Sequence, residues 1–298
     1  MTRFNTISFL SDFGTADEFA GVVRSVIRSI ADHVEVVDIT HNIEPFNVKA
    51  GSLALARAAA YLTPGVVLGI VDPGVGTDRR PLIIEVGGGQ SYLVGPDNGL
   101  FAPIVALVGG ATAAWEIDNQ DYVFDSPGAT FAGRDVFAPV AAHLCAGVDP
   151  SEIGKPVEPA SLIPGILPVS EPNGEGGIDA EVFWVDRFGN VQLNVDPNQI
   201  ASWPEFVTVT VSSRDETVSR VDSYASVGTG LGMLIDSQGL MAVVANCSSA
   251  AEELGVKEGD SVTLTPSEYG PHNSIITPVT LSQRPSLVNP DEFGGSPQ

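Results

Sequence analysis

The sequence contains little positive charge. It carries 14 lysines and arginines against 37 aspartates and glutamates among 298 residues, which gives a formal net charge of −23. A surface this acidic repels phosphate backbones and anionic lipids, so we expect no nucleic-acid partner and no membrane-surface partner. The N-terminal residues enter a predicted strand directly, so we expect no signal peptide, and the chain contains no run of about 18 apolar residues that could cross a bilayer. We therefore expect a cytoplasmic protein.

Cysteines and aromatic residues are scarce as well. Cys145 and Cys247 are far apart and lack the spacing of metal ligands, so we expect two buried free thiols and no metal site. Aromatic residues make up only 7 %, whereas 32 glycines and 22 prolines are typical of a chain with many turns and short strands. Because 43 % of the residues are apolar, a sizeable core can form, and the length favours two domains.

Strand and helix patterns alternate through residues 1–154, which predicts an N-terminal α/β domain. The predicted strands are 6–12, 34–40, 66–72, 81–86, 91–95 and 111–117, and the predicted helices are 15–32, 47–62, 99–109 and 133–147. Thr15 and Glu18 have the spacing of a capping box at the start of the first helix. Alternation of this kind favours a largely parallel sheet with helices on both faces.

The pattern changes after the first domain. Residues 155–177 are rich in proline and end in glycines, which is typical of a linker. Strand patterns then dominate residues 178–282 and predict an all-β domain, a barrel or a sandwich. One short helix is predicted at 248–255, and residues 283–298 have the composition of a loose tail.

Three predicted strands of the first domain end in acidic residues followed by glycine. These ends read SDFG (11–14), VDPGVG (71–76) and GPDNG (95–99). Ligands of α/β sheets bind beyond the carboxyl ends of the strands, so together these ends predict a crevice lined by carboxylates and backbone amides. Each one alone is typical of an aspartate that caps a turn. The second loop lacks the lysine and the spacing of a P-loop, which argues against a phosphate site.

Asp72 and Arg79 stand at opposite ends of the glycine-rich second loop. A tight turn there can bring the carboxylate and the guanidinium within ion-pair distance. Such a pair can orient a small molecule such as water, or it can simply brace the turn, and the spacing leaves both readings open. Arg134 and Asp135, at a predicted helix start, favour a structural role.

A second cluster of polar residues lies in the predicted β domain. The stretch VDRFGNVQLNV (185–195) places Asp186, Phe188 and Asn190 around a glycine turn. An anion, an aromatic face and an amide in one place suit a ligand that carries an amine and a heterocycle. The same aspartate and asparagine can equally serve to form the hairpin.

These motifs together resemble a known family. SDFG, DPGVGTDR, DNGL, TF-x-GRD and DRFGN occur in the order and spacing of the S-adenosyl-L-methionine (SAM) hydroxide adenosyltransferases, which are relatives of the bacterial fluorinase and chlorinase. The resemblance extends over about residues 5–266. It implies a Rossmann-like N-terminal domain, a barrel-like C-terminal domain and a homotrimer with SAM or adenosine bound between subunits. SAM is then the substrate, and no cofactor is implied.

The resemblance implies roles for residues around the adenosyl group. Asp12 matches the residue that holds both ribose hydroxyls. Phe46 and Tyr224 match aromatic residues near the adenosyl group, Phe188 matches a stacking residue, and Asn190 matches a partner of the adenine edge.

Further matches concern the methionine part and the adenine. Asp186 resembles the group that pairs with the methionine ammonium, and Ser237 resembles a contact of the methionine carboxylate. Gln238 stands where the fluorinase has an arginine, so that contact is weaker or made differently. Asn246 and Cys247 align with backbone contacts to adenine.

The resemblance also assigns the reaction. Asp72 and Arg79 match two members of an Asp–Arg–His triad that positions water against ribose C5′, which yields adenosine and L-methionine, and Asn98 is counted with the substrate-binding residues. The hydrolases read TFHGRD, whereas this chain reads TFAGRD with Ala132 at the histidine position. We therefore expect SAM binding with reduced turnover.

Two alternatives follow from the same residues. Gly133 matches the chlorinase pattern, so a SAM-dependent 5′-chlorinase is the first alternative. Halogenases, however, carry tyrosine at the position of Asp72, and an ionised carboxylate there repels a halide. The second alternative, based on the incomplete triad, is a protein that binds SAM or adenosine without catalysis.

Overall fold

The computed structural model describes residues 4–165 and 167–270. Seven strands form the first sheet: β1 (Thr6–Ser11), β2 (Glu35–Thr40), β3 (Val66–Ile70), β4 (Pro81–Val86), β5 (Ser91–Pro96), β6 (Ala111–Ile117) and β7 (Gly154–Val157). Their order is β2-β1-β3-β5-β4-β6-β7. The predicted parallel pairing is confirmed for β2, β1, β3 and β5, and β4, β6 and β7 extend the sheet with antiparallel pairs.

Helices cover both faces of this sheet, as the alternating pattern predicts. Those of the first domain are α1 (Phe19–Ile30), α2 (Val48–Ala58), α3 (Ala102–Leu107), α4 (Ala138–Ala146) and α5 (Pro150–Ile153). Successive strand residues point to opposite faces, so Phe9 lies in the core with α1 and α4, whereas Leu10 lies in the core with α2 and α3.

The start of α1 differs from the prediction. The helix begins at Phe19, and no side chain caps it, so the predicted capping box of Thr15 and Glu18 is wrong. The N–H of Gly14, at a φ of 67°, donates to the carbonyl of His41 at 2.7 Å and holds the preceding residues in a turn. The helix starts where the ring of Phe19 packs 5.1 Å from that of Phe131.

A π-helical turn precedes α4. Residues Gly133–Phe137 form this turn, in which the N–H of Ala138 donates to the carbonyl of Gly133. The predicted single helix over 133–147 is therefore a π turn followed by an α-helix, which ends at Gly147 with a φ of 96°. Such turns widen the helix locally and are frequent at functional sites.

The second half of the chain forms a closed seven-stranded barrel. Its strands are β9 (Ile178–Val185), β10 (Val191–Leu193), β11 (Phe206–Val211), β12 (Arg214–Arg220), β13 (Leu231–Ile235), β14 (Met241–Ala245) and β15 (Ser261–Ser267), and β8 (Glu171–Pro172) attaches at the edge of β9. Pairing of β9 with β10 closes the barrel. Along β11 the valines are buried and the threonines between them are not, as the period-two pattern predicts. The helix α6 (Ala250–Leu254) is capped by the Ser249 side chain, which accepts from the N–H of Glu252.

The region between sheet and barrel carries its own structure. Residues 155–157 of the predicted linker belong to β7, which pairs with β6, and residues 171–172 form β8. Lys49 of α2 forms an ion pair with Glu181 of the barrel. The predicted tail, 283–298, lies outside the described residues. In the described part, no helix is long and apolar enough to span a membrane.

The two cysteines lie in different environments. Cys145 is buried in α4, and burial raises the pKa of its thiol to about 12. Cys247 is exposed in the turn between β14 and α6, with a φ of 60°. The prediction of two buried thiols is therefore wrong for Cys247, because this residue follows the last buried position of the strand.

Two glycine substitutions test the packing of the first sheet. A Cβ at Gly95 would lie 2.2 Å from the carbonyl oxygen of Gly69 and 2.9 Å from the Phe101 ring. We expect Gly95→Ala to lower the free energy of unfolding by about 1–3 kcal/mol or more, because neither neighbour can move freely. The control Gly21→Ala, in α1 with open space around it, should raise that free energy by about 0.5–1 kcal/mol. Urea denaturation measures both, and a Gly95→Ala midpoint equal to that of the wild type would contradict this packing.

Candidate active site

The loop after β3 holds Asp72 against Arg79. The guanidinium Nε lies 2.9 Å from both carboxylate oxygens, and Nη2 lies 2.5 Å from Oδ2. The loop closes tightly, since the N–H of Val75 donates to the carbonyl of Asp72 and the Thr77 hydroxyl donates to that of Gly74. Only 6 % of the Asp72 side chain is exposed. The ion pair that the spacing allows is thus formed, and it is shielded from solvent.

Arg79 connects this ion pair to a cavity. Its guanidinium carbon lies 5.1 Å from the ring centre of Phe137 in the π turn. Arg79 and Ala132 both line a cavity of about 350 Å³, with Gly76 and Asp135 among the other lining residues. Asp72 does not line it. The catalytic positions inferred from the resemblance are therefore close together, with Arg79 between the carboxylate and the cavity.

Gly133 allows two of the sequence motifs to pack together. A Cβ at this position would lie 2.9 Å from Cζ of Phe13 and 3.3 Å from Cδ1 of Ile70. The next two residues, Arg134 and Asp135, pair with each other at 2.6 Å, which matches the predicted structural role. The segment after Ala132 thus packs directly against the turn that carries Asp12.

Asp12 and Phe46 meet at the end of β1. The N–H of Phe46 donates to Oδ2 of Asp12 at 2.9 Å, and among the described residues Oδ1 accepts no hydrogen bond. Phe46 has a φ of 70°, which is costly for a residue with a bulky side chain, and 72 % of the residue is exposed. The turn therefore presents a carboxylate oxygen and an aromatic ring toward solvent.

Asn98 uses both ends of its amide within the protein. Its Nδ2 donates to the carbonyl of Val71 at 2.8 Å, and its Oδ1 accepts from the N–H of Leu100 at 3.2 Å. The side chain ties the turn after β5 to the end of β3. This arrangement is a bracing contact, and a direct contact of Asn98 with substrate stays a prediction.

The hairpin between β9 and β10 is organised by Asp186. Its Oδ1 accepts the N–H groups of Phe188 and Asn190 at 2.8 and 2.9 Å, and its Oδ2 accepts Nδ2 of Asn190 at 2.7 Å. The turn-forming role that the sequence allows is thus realised. Phe188 is 77 % exposed at the tip, so the hairpin also presents an unburied aromatic ring.

A second cavity, of about 360 Å³, lies on the barrel. Four residues implied by the resemblance line it, namely Asp186, Asn190, Tyr224 and Ser237. Burial raises the pKa of Tyr224, and the negative charges of Asp186 and Asp236 raise it further. The lining carries three carboxylates and no lysine or arginine, which suits a positively charged ligand group.

Several residues of this second cavity are given no role by the sequence motifs. They are Trp184, Gln192, Asp222 and Asp236. Asp236 accepts the N–H groups of Gln238 and Leu240 with Oδ1 and the side-chain amide of Gln192 with Oδ2, so it holds the turn that carries Ser237. The run Asp-Ser-Gln-Gly (236–239) after a strand is a turn signal that could have identified Asp236.

Asn246 and Cys247 lie apart from both cavities. Both are exposed in the turn after β14, where the Cys247 thiol lies 3.5 Å from Oδ1 of Asn246. Neither lines the cavity beside Arg79 or the cavity on the barrel. The residues that the sequence assigns to one site thus fall, within a single chain, into groups on the sheet and on the barrel.

The fold and the cavities define a two-part protein that binds a small molecule, with an α/β sheet followed by a closed barrel. Comparison with family models makes this specific. The N-terminal domain of the SAM hydroxide adenosyltransferases matches residues 7–154, and their C-terminal domain matches residues 180–263. The chain therefore belongs to the SAM hydroxide adenosyltransferase family.

Individual relatives agree with this assignment. The chain is 41 % identical to an (R)-S-adenosyl-L-methionine hydrolase of Salinispora tropica, over 87 % of this chain and 97 % of the relative. It is 37 % identical to the enzyme of that name from Thermus thermophilus, over 87 % and 98 %. A fluorinase of Actinopolyspora mzabensis is 26 % identical, over 87 % and 96 %.

A solved structure shares the architecture. An uncharacterised conserved protein of Thermotoga maritima superposes with a TM-score of 0.79 at 34 % identity, over 87 % of this chain and 99 % of that one. The barrel and the mixed sheet are thus common to this chain and to that relative.

Proposed function

We propose that this protein hydrolyses SAM to adenosine and L-methionine. The shielded Asp72–Arg79 pair at a cavity that also contains position 132 carries the proposal. Support comes from the family and from the identity of 41 % to a SAM hydrolase. SAM is the substrate in this proposal, and the reaction needs no cofactor.

The proposed reaction requires mainly that a water molecule is aligned with the breaking bond. The oxygen of water attacks ribose C5′ as the bond from C5′ to sulfur breaks, the electron pair stays on sulfur, and the attacking water releases its proton to the surrounding solvent. A sulfonium is already a good leaving group, so no acid has to protonate it. The enzyme must hold water in line with the breaking bond, and positioning of this kind can supply several kcal/mol of the barrier. Arg79, fixed by three contacts to Asp72 and packed over Phe137, is a rigid hydrogen-bond donor for that water.

The barrel cavity supplies the methionine end of the site in this proposal. The Asp186 carboxylate pairs with the ammonium group, Ser237 binds the carboxylate, and Tyr224 and Phe188 pack against the adenosyl group. The acidic lining supports this assignment, since SAM carries its positive charges on the ammonium and on sulfur. Asn190, Asn246 and Cys247 complete the adenine contacts.

The active site lies between subunits of a homotrimer in this proposal. Within one chain the two groups of site residues line separate cavities, and the rings of Phe46 and Phe188 are 72 % and 77 % exposed. A second copy that brings its barrel to the sheet would cover both rings and join the two groups. The trimer and the cytoplasmic location belong to the proposal.

Mixed variants test the shared site. Asp72→Ala and Asp186→Ala each impair one half of it, so each protein alone should release adenosine at roughly a hundredth of the wild-type rate. Co-expression of the two should restore activity in roughly a quarter of the sites, because an intact site can form only from complementary halves of two chains. Native mass spectrometry of the mixture gives the subunit number. Absence of any restored activity in mixed oligomers would contradict a site between subunits.

Ala132→His tests the missing triad member. The substitution places an imidazole in the cavity beside Arg79, and we expect adenosine release from SAM to rise by about 100-fold, the usual contribution of a positioned proton acceptor. Ala129→His is the matched control, because Ala129 lines the same cavity and its imidazole should leave the rate unchanged. Liquid chromatography of adenosine measures both, and equal rates in the two variants would refute the role of position 132.

Asp72→Ala separates chemistry from binding. We expect kcat to fall by roughly 100-fold while the SAM dissociation constant changes little, because Arg79 loses its fixed orientation. Asp97→Ala is the control, since Asp97 forms a similarly shielded pair with the neighbouring Arg80 but lies at another cavity. It should lower the thermal midpoint and leave kcat unchanged. Equal losses of kcat and affinity in Asp72→Ala would argue against water positioning.

A 5′-chlorinase is the second candidate, favoured by Ala132, which leaves room for a halide, and by Gly133. The Asp72 carboxylate opposes it, because two like charges about 4 Å apart repel by roughly 4 kcal/mol at an effective dielectric near 20, although Arg79 offsets part of this. Incubation of the protein with SAM, with and without chloride, followed by mass spectrometry of the products, distinguishes hydrolysis from chlorination. Adenosine supports hydrolysis, 5′-chloro-5′-deoxyadenosine supports the chlorinase, and binding without product even in Ala132→His supports a non-catalytic binder.

A further inference from the structure

A network of four side chains beside β1 and β2 extends from the buried end of β1 to the surface. The hydroxyl of Ser11 lies 2.8 Å from Nδ1 of His41, and Nε2 of His41 lies 3.0 Å from Oδ1 of Asp38. Arg24 of α1 forms a bidentate pair with Asp38 and lies 3.2 Å from the same Nε2. None of these residues belongs to the cavities described above.

The connectivity is that of a Ser–His–Asp triad, but its environment excludes nucleophilic catalysis. Ser11 is fully buried and His41 is 5 % exposed, so no substrate can reach the hydroxyl. The hydroxyl oxygen also accepts the N–H of Phe13 at 3.3 Å. A hydrogen on Nε2, which faces Asp38, leaves Nδ1 as the acceptor for the Ser11 hydroxyl. The arrangement is suited to holding backbone, not to bond breaking.

The backbone that it holds carries Asp12. Ser11 and Phe13 flank Asp12, and both are tied to the network through the Ser11 hydroxyl. The N–H of Gly14 donates to the carbonyl of His41 at 2.7 Å, so His41 contacts the turn with its backbone as well. The turn from 11 to 14 is thus fixed to His41 on both sides of Asp12.

His41 is also connected to Phe46, the residue that contacts the Asp12 carboxylate. His41 begins the segment that leads from β2 to Phe46, and the N–H of Phe46 donates to Oδ2 of Asp12 at 2.9 Å. That contact leaves Oδ1 of Asp12 without a partner among the described residues. Because Phe46 sits at a strained φ of 70°, its position depends on contacts of this kind.

The geometry points to His41 as a positioning residue for the ribose: its bonds to Ser11 and Asp38 hold the Asp12 carboxylate in the orientation that reads the ribose hydroxyls. This inference rests on the proposed function, since it assigns the ribose to Asp12. His41 itself touches no substrate, so its effect should be confined to contacts that Asp12 makes.

Binding of two nucleosides tests the inference. The wild type should bind adenosine more tightly than 2′,3′-dideoxyadenosine, which lacks both ribose hydroxyls, as measured by isothermal titration calorimetry. His41→Phe keeps a planar ring but removes the hydrogen bonds to Ser11 and Asp38, and we expect adenosine affinity to fall about tenfold, the usual effect of losing one or two such bonds, with 2′,3′-dideoxyadenosine affinity nearly unchanged. His41→Asn, which places an amide near the Nδ1 position, should recover part of the loss. Ser11→Ala removes the hydroxyl that bonds to His41. This variant replaces His41→Phe in the test if His41→Phe folds poorly.

Two further measurements separate positioning from a general structural effect. In Asp12→Ala the discrimination should vanish, and adding His41→Phe to it should cause no further loss, because the histidine acts through Asp12. His143→Phe, in α4 against Tyr122, is the control and should leave both affinities unchanged.

The outcomes distinguish this inference from the proposed function. Parallel loss of both nucleosides in His41→Phe, or unchanged discrimination, would overturn the positioning role and leave SAM hydrolysis standing. A wild type that binds no adenosine would overturn both.

Discussion

Parallel pairing of β1 with β3 is the constraint on which the site depends. Ser11 is opposite Ile70 in this pairing, and the N–H of Asp12 donates to the carbonyl of Ile70 at 3.3 Å. The two strands therefore end side by side, and the turns that follow, one with Asp12 and one with Asp72, leave the sheet at the same edge. Gly133 packs its π turn against both, through Phe13 and Ile70. Three motifs that are far apart in sequence meet because two strands share one register.

Charge is distributed differently at the two ends of the site. On the sheet, Arg79 neutralises the Asp72 carboxylate, and the pair is shielded from solvent. The pair therefore offers a hydrogen-bond donor in a fixed orientation and carries little net charge. On the barrel, Asp186, Asp222 and Asp236 line a cavity whose lining includes no lysine or arginine, although Arg57, packed on the Trp184 ring, attracts the Asp236 carboxylate. In the proposed function, the barrel cavity therefore attracts a cationic group of the ligand, and the Asp72–Arg79 pair orients a neutral water molecule.

Much of this arrangement could be predicted, and the failures have physical causes. Strong two-residue and helical periodicities located nearly every strand and helix, and strand ends followed by Asp and Gly located the turns. The start of α1 was missed because Phe19 packs on Phe131, a contact that local spacing does not reveal. Asp222 and Asp236 were missed because closure of the barrel, not proximity in sequence, brings them to Asp186. Trp184 lies two residues before Asp186 and was interpreted only as part of the strand pattern. The Ser11–His41 bond joins residues thirty positions apart and was invisible for the same reason.

The packing around the π turn has a consequence for how such a protein can change over evolution. A Cβ at position 133 would lie 2.9 Å from the Phe13 ring, which would have to shift, whereas the neighbouring Ala132 lines a cavity of about 350 Å³. Substitutions at 132 can therefore alter the reacting group without disturbing the packing of the turn. A position held by packing beside a position that lines a cavity allows the side chain next to Arg79 to change while the turn keeps its place.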